Sequence, residues 1–159
     1  MDIGHDLPQE TVQRIGDSFA RQGLMRLLGA ELAQVKAGLV TIRLPFRPEL
    51  TQQLGYFHAG STASIADSAG GYAGNTLLPQ GQSVLTVEFK LNLVNPAQGV
   101  WLEAVGRVLK PGRTLTVCQM DVWGIAPGKR VHVATGLQTL IGVPDTGPQA
   151  AVTNAALLA

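Results

Sequence analysis

Cysteine occurs once, as Cys118, in a chain of 159 residues. An intrachain disulfide is therefore impossible, and a cysteine-rich zinc site is excluded. In Thr116-Val117-Cys118-Gln119-Met120 this cysteine sits in a strand-like run, where a small buried hydrophobe is expected rather than a nucleophile. Aromatic residues make up only 5% of the chain, so the core has to be aliphatic. Charge is equally scarce: 12 Lys and Arg against 11 Asp and Glu leave a formal +1. That balance cannot neutralise many phosphates, which argues against nucleic acid as a partner. No run of about 18 apolar residues occurs, so no membrane span is expected. Met1-Asp2-Ile3-Gly4-His5-Asp6 has neither the basic flank nor the apolar stretch of a secretory signal, and the expected location is the cytoplasm. What the chain has instead is a 45% hydrophobic fraction and a mean hydropathy of +0.17, high enough to point to an oligomer.

Asp6-Leu7-Pro8-Gln9 reads as a capping box, and Val12, Ile15 and Phe19 then recur at helical spacing up to Gly23. From Glu31 to Phe46 the pattern is strand-like, with a turn at Ala37-Gly38 between the two strands of a hairpin. The segment from His58 to Gly74 is built almost wholly of Gly, Ala and Ser, with Ile65, Asp67 and Tyr72 among them. Its glycines each cost a helix roughly 1 kcal/mol, so a helix here has to be held by its surroundings. Small side chains would let a sheet, or a second copy, come close. Val87, Phe89, Leu91 and Leu93 alternate with polar residues as in a half-buried strand. Three more strands are expected from about Trp101, Leu115 and Val131, joined by Lys110-Pro111-Gly112-Arg113 and Ala126-Pro127-Gly128-Lys129. Pro then Gly suits the centre of a type II turn, so these three should form an antiparallel meander. The order is helix, two strands, small-residue helix, four strands: an α+β layout with the sheet curled about one long helix. One domain is expected over residues 1–143, with 144–159 as a tail.

Asp67 is the single acid inside the small-residue helix. A carboxylate on a buried face is costly unless paired or solvated, so its presence there flags function; a structural hydrogen bond is the other reading. His58 stands nine positions earlier at the helix entrance, where a lone His is more often a loop or capping residue than a catalyst. The amides of Ala59 and Gly60 would lie in the first turn, on the positive end of the helix dipole, where such groups stabilise an oxyanion. There is no Gly-x-Ser-x-Gly elbow, P-loop or His-Glu-x-x-His helix, and His5, His58 and His132 are too scattered to suggest a metal site.

Gly55-Tyr56-Phe57-His58-Ala59-Gly60, then Ala66-Asp67-Ser68-Ala69, then Thr86-Val87-Glu88-Phe89-Lys90 through Asn95-Pro96-Ala97, resemble the hotdog-fold acyl-CoA thioesterases of the phenylacetate-degradation (PaaI-like) type. The resemblance spans roughly Gly23 to Val143. It implies an antiparallel curved sheet wrapped around a long central helix, and hydrolysis of an acyl-CoA to free CoA and a carboxylic acid. It assigns Asp67 as general base or nucleophile. The Ala59 amide becomes the oxyanion donor, contributed across a dimer interface. Gln52 and Thr86 help position thioester or water, and His58 shapes the carbonyl site. Coenzyme A enters as part of the substrate, with no other cofactor and no metal. The site needs two subunits, so a homodimer or a dimer of dimers is implied.

Two departures qualify this assignment. Ala59 stands where the family often has Gly, which would matter if φ were positive. Gly71 replaces a hydroxyl residue found in one branch, so that branch's aromatic preference does not transfer. Thr86, in addition, would face away from Val87, Phe89 and Leu91 on a regular strand. Gly60, Tyr56 and Phe57, with Leu54 and Tyr72, are candidates to line the substrate pocket. Lys110 and Arg113, with Lys129 and Arg130, are candidates to meet the phosphates of coenzyme A. A hydratase or dehydratase acting on acyl thioesters, or a non-catalytic acyl-CoA-binding module, would use the same fold.

Overall fold

The computed structural model describes residues 3–147. Helix α1 (Gln9–Arg21) buries Ile15 and Phe19 of the expected apolar stripe and leaves Val12, in its first turn, exposed. The capping box does not form. The helix starts after Pro8 with no side-chain cap, two residues too late for Asp6 to be the N-cap, and Asp6 instead lies 3.4 Å from the Lys36 ammonium. A second short helix that the periodicity did not reveal, α2 (Gly23–Leu28), buries only Met25. It stops at Gly29, whose φ of 73° lets its own amide and that of Ala30 close on the carbonyls of Arg26 and Met25.

Strands β1 (Glu31–Lys36) and β2 (Leu39–Pro45) pair around the expected turn. Helix α3 (Ala59–Asn75) follows, then β3 (Gln82–Leu93), β4 (Trp101–Lys110), β5 (Leu115–Ala126) and β6 (Lys129–Pro144). All pairings are antiparallel, in the order β1-β2-β4-β5-β6-β3. The meander β4-β5-β6 is as expected, with Gly128 at φ 67° in the second turn. The first connection differs: Gly112 has no positive φ, and a Cβ there would sit 2.2 Å from the Leu115 carbonyl, so this is a folded-back loop rather than a type II turn. Strand β6 runs to Pro144, just past the boundary expected for the tail. The rest of that expected tail, from residue 148 on, lies outside the described residues.

The sheet wraps α3, and the core is aliphatic as composition required. Ile65, Ala66, Ala69 and Ala73 of the helix pack with Leu102, Ala104, Met120, Val122 and Leu140 of the strands, all fully or almost fully buried. Side chains such as Ile65, Leu102 and Leu140 each contribute about 1.5–3 kcal/mol through burial. The small residues serve close approach: a Cβ on Gly106 of β4 would lie 2.2 Å from the Ala69 carbonyl oxygen. Cys118 is fully buried among these residues, and burial pushes its thiol up to about 12. At neutral pH it is therefore protonated and shielded. A disulfide reagent should leave the native chain unmodified over minutes and label it once denatured, whereas prompt labelling of the native chain would contradict this placement.

Strand β3 departs from the half-buried reading. It is an edge strand, and Leu85, Val87, Phe89 and Leu93 are all exposed. A register shift against β6 falls between Thr86 and Glu88, the mark of a bulge at Val87. Thr86 pairs with Leu140 and Phe89 with Gln138, two inward-facing residues of β6, so the bulge brings Thr86 and Phe89 onto the face toward α3. The conflict between Thr86 and a regular alternation is resolved by that extra residue. No helix among the described residues is long and apolar enough to cross a membrane.

Candidate active site

The entrance of α3 is fixed by backbone bonds from both sides. The Phe57 amide donates to the Ala97 carbonyl at 3.0 Å, and the His58 amide to that of Leu50 at 2.8 Å. His58 is the N-cap: its Nδ1 accepts from the Gly60 amide at 2.8 Å, so it has to be unprotonated in this arrangement. This corrects the expectation that both first-turn amides are open, because Gly60 is engaged. The Ala59 N–H, at the first helical position, takes no partner among the described residues. Its methyl costs nothing in strain, since no described non-glycine residue has positive φ.

Ala59 opens on a cavity of about 410 Å³ shared with Gln52, Tyr56, Thr62 and Asn95. Gln52 turns its Oε1 back to the Leu54 amide of its own loop, which leaves its Nε2 as a donor. Phe57 backs this cavity but is buried, its ring edge-on to Phe46 at 5.4 Å. Leu54 is exposed and lines none of the cavities described here.

Asp67 lies two turns further along α3, half-buried, where the helix passes β3 and β6. Its Oδ1 accepts from Thr86 Oγ1 at 2.8 Å and from Gln138 Nε2 at 2.6 Å. Gln138 Nε2 also reaches Thr86 Oγ1 at 3.0 Å and the Asp67 carbonyl at 3.1 Å. Both donors converge on one carboxylate oxygen, and no described hydrogen bond uses Oδ2. The carboxylate is thus fixed in rotation with one oxygen presented outward. Two cavities meet it. One, of about 380 Å³, also touches Arg21, Gly71, Tyr72 and Thr86; the other, of about 570 Å³, touches Gly60, Ser64 and Phe89. Burial raises the Tyr72 pKa, opposed by a hydrogen bond with Ser18 and by the charge of nearby Arg21.

Gln138 is the site residue that sequence reading passed over. It is fully buried, on the phase of β6 that carries Gly136 and Leu140 inward. A lone amide in phase with core residues was the available signal. Gly70 makes room for it, since a Cβ there would meet Gln138 Oε1 at 2.0 Å. That oxygen is itself buried without a partner, so the amide is held for what its nitrogen does. Replacing Gln138 by Met keeps the volume and removes one donor to the carboxylate. We expect kcat to fall about tenfold with KM nearly constant, the scale of one hydrogen bond to a charged group; an unchanged kcat would deny Gln138 a positioning role.

Lys110 ends β4 and Arg113 lies in the β4–β5 loop; both are exposed and line none of the cavities that hold Asp67 or Ala59. Lys129 and Arg130 sit at the β5–β6 turn, where Arg130 covers the Trp123 ring at 3.9 Å and approaches Glu103 at 3.6 Å. Among the described residues no three of His, Cys, Asp and Glu come together as a metal site would require.

The family model described as the thioesterase superfamily matches residues 54–129, which carry His58, Ala59, Asp67 and Thr86. A thioesterase family protein of Silicibacter pomeroyi, known from its crystal structure, is 41% identical, with 84% of this chain and 98% of that one covered and a TM-score of 0.82. The chain belongs to the thioesterase superfamily. A relative from Halobacterium salinarum, provisionally named an esterase, is 30% identical over 105 residues, 63% of this chain and 69% of its own. This thioesterase-superfamily chain is also 27% identical to a Bacillus halodurans protein whose crystal structure is described as being with CoA, at 85% and 92% coverage and a TM-score of 0.69. The antiparallel sheet around α3 is thus the hotdog fold.

Proposed function

We propose that the chain is a homodimeric acyl-CoA thioesterase whose two sites each combine Asp67 of one subunit with the Ala59 amide of the other. The observation that carries this reading is the anchored carboxylate with its free Oδ2, eight residues from an open helix-entrance amide on the same rigid helix. Eight residues of α-helix rise about 12 Å, too far for both groups to act on one carbonyl. A second copy supplies the missing half, and the exposed apolar edge of β3 offers it a strand to pair with. The relative crystallised with CoA supports a CoA thioester as substrate.

In this scheme the thioester carbonyl lies against the Ala59 N–H while Asp67 Oδ2 faces its carbon. Either the carboxylate attacks the carbon, or it takes a proton from a water that does so. In both routes negative charge develops on the carbonyl oxygen, where the amide and the α3 dipole act most strongly. The carbon–sulfur bond then breaks and the CoA sulfur leaves as a thiolate that takes up a proton; the general-base route yields the acid at this point, whereas the nucleophilic route leaves an anhydride on Asp67 that a water hydrolyses, freeing the acid and restoring the carboxylate. Gln52, which lines the same cavity as Ala59, would use its Nε2 to hold the thioester or the water.

Ala59→Pro isolates the amide. Proline is tolerated at the first helical position, and His58 already has the extended backbone, φ −64° and ψ 144°, that precedes it. We expect an intact fold and a loss of 10²–10³ in kcat, roughly the value of one oxyanion donor. Full activity in a folded Ala59→Pro protein would rule the amide out.

A further inference from the structure

Resting on the thioesterase reading, the cavity beside Asp67 indicates what the acyl group carries at its far end. This space of about 380 Å³ lies between α1, α3 and β3. Apart from Asp67 its polar lining is neutral or cationic, with Arg21 as the one cation. Arg21, the last residue of α1, forms no ion pair among the described residues. Arg14, in contrast, is committed to Asn75, donating to its side-chain oxygen at 2.8 Å. Gln22 accepts from Ser68 Oγ through its Oε1 at 3.2 Å and its side chain also hydrogen-bonds with Tyr72, so Arg21 is the cavity's main uncommitted donor. The Ser18 and Tyr72 hydroxyls lie 3.3 Å apart and share one bond, so one proton of the pair is left over for a ligand.

The way from Asp67 to these groups is open. Gly71 sits one turn beyond Asp67 on the same face, and even a Cβ there would meet nothing closer than Val84 at 4.0 Å. A fatty acyl tail could lie along Val84 and Leu85 but would gain nothing from the exposed guanidinium, which water would go on solvating. A carboxylate would take the guanidinium's parallel N–H pair and the neighbouring donors together. Asp67 to Tyr72 is five residues, a rise of roughly 7–8 Å, which suits a short chain rather than a long one.

We propose that this enzyme prefers short acyl-CoAs whose acyl group ends in a carboxylate, the mono-thioesters of dicarboxylic acids, and that Arg21 is the residue that selects them. The test compares adipoyl-CoA with hexanoyl-CoA, equal in carbon number and identical in their CoA portion, on wild type, Arg21→Gln and Arg21→Lys. Wild type should favour adipoyl-CoA in kcat/KM by about tenfold or more, the scale of a charge-assisted pair. Arg21→Gln should bring that ratio close to one, and Arg21→Lys should retain part of it. Wild type that treats the two equally, or prefers hexanoyl-CoA, overturns the inference while leaving the thioesterase reading intact. So does Arg21→Gln lowering both substrates by the same factor, which would place Arg21 on a phosphate of CoA instead. No hydrolysis of either compound would count against the thioesterase reading itself. Calorimetric titration with the same two thioesters would then decide the matter for the cavity: tighter adipoyl-CoA binding that Arg21→Gln abolishes supports the inference, and equal affinities overturn it.

Discussion

Asp67→Asn should fold and assemble like the parent and lose two or more orders of magnitude in thiol release from acyl-CoA. The expected size follows from what the amide cannot do. It occupies the same volume and still offers an oxygen to Thr86 and Gln138, but the group in place of Oδ2 is an NH₂ that neither accepts a proton nor attacks a carbon. Fold and site therefore separate cleanly in this variant. Stopped-time thiol detection with short, long and aromatic acyl-CoAs, alongside thermal melting and size-exclusion chromatography, reads both. A variant within threefold of wild type would mean that Asp67 is a structural acid bonded to two neighbours. The active centre would then have to be sought elsewhere, with enoyl-CoA hydration the next reaction to assay.

Gly106→Ala should be the most damaging single methyl in the fold. The added carbon would lie 2.2 Å from the Ala69 carbonyl oxygen and 2.4 Å from the Gly70 nitrogen, both of them helix backbone with no rotamer to move. Either α3 lifts from β4 or the sheet bends. We expect a loss near 3 kcal/mol, the upper part of the range for overpacking, and a fall in melting midpoint of about 6–12 °C for a domain of this size. Displacement of Ala69 and Gly70 also shifts Asp67, so activity should fall with stability. Gly16→Ala in α1 is the matched control: nothing lies within 4 Å of the new methyl, and the exchange should be neutral or stabilising. Equal effects of the two changes would contradict the close helix–sheet contact that positions the site.

Much of this was legible in the residues because composition left few alternatives. A helix of Gly, Ala and Ser has no reason to exist unless something packs against it closely, and Gly106 on β4 is where that happens. Asp67 stood out for being the single acid there, and the helix-entrance amides for lying at a predictable terminus. What the sequence hid was tertiary. The β3 bulge that turns Thr86 toward Asp67 has no local signature, because Val87 reads as an ordinary strand residue. Gln138 lies 71 positions from Asp67 and meets it only through the curl of the sheet. His58 at a helix entrance reads as a cap before it reads as a catalyst, and the structure shows that cap, which occupies the Gly60 amide and leaves Ala59 as the open donor. The apolar alternation of β3 has the pattern of a half-buried strand, whereas β3 is an edge strand with Val87, Phe89 and Leu93 exposed.

The central claim is that each site is completed by two subunits, and subunit complementation tests it most directly. Asp67→Asn and Ala59→Pro chains, carrying different affinity tags, are expressed together and the mixed dimer is isolated through both tags. If the carboxylate and the amide come from opposite chains, one of the two sites in that dimer carries both defects and the other carries neither. The mixed dimer should then recover about half of the wild-type activity, while each parent variant alone stays nearly inactive. If instead the two groups act within one chain, every site in the mixed dimer is defective, and activity no higher than that of the parents would contradict the account.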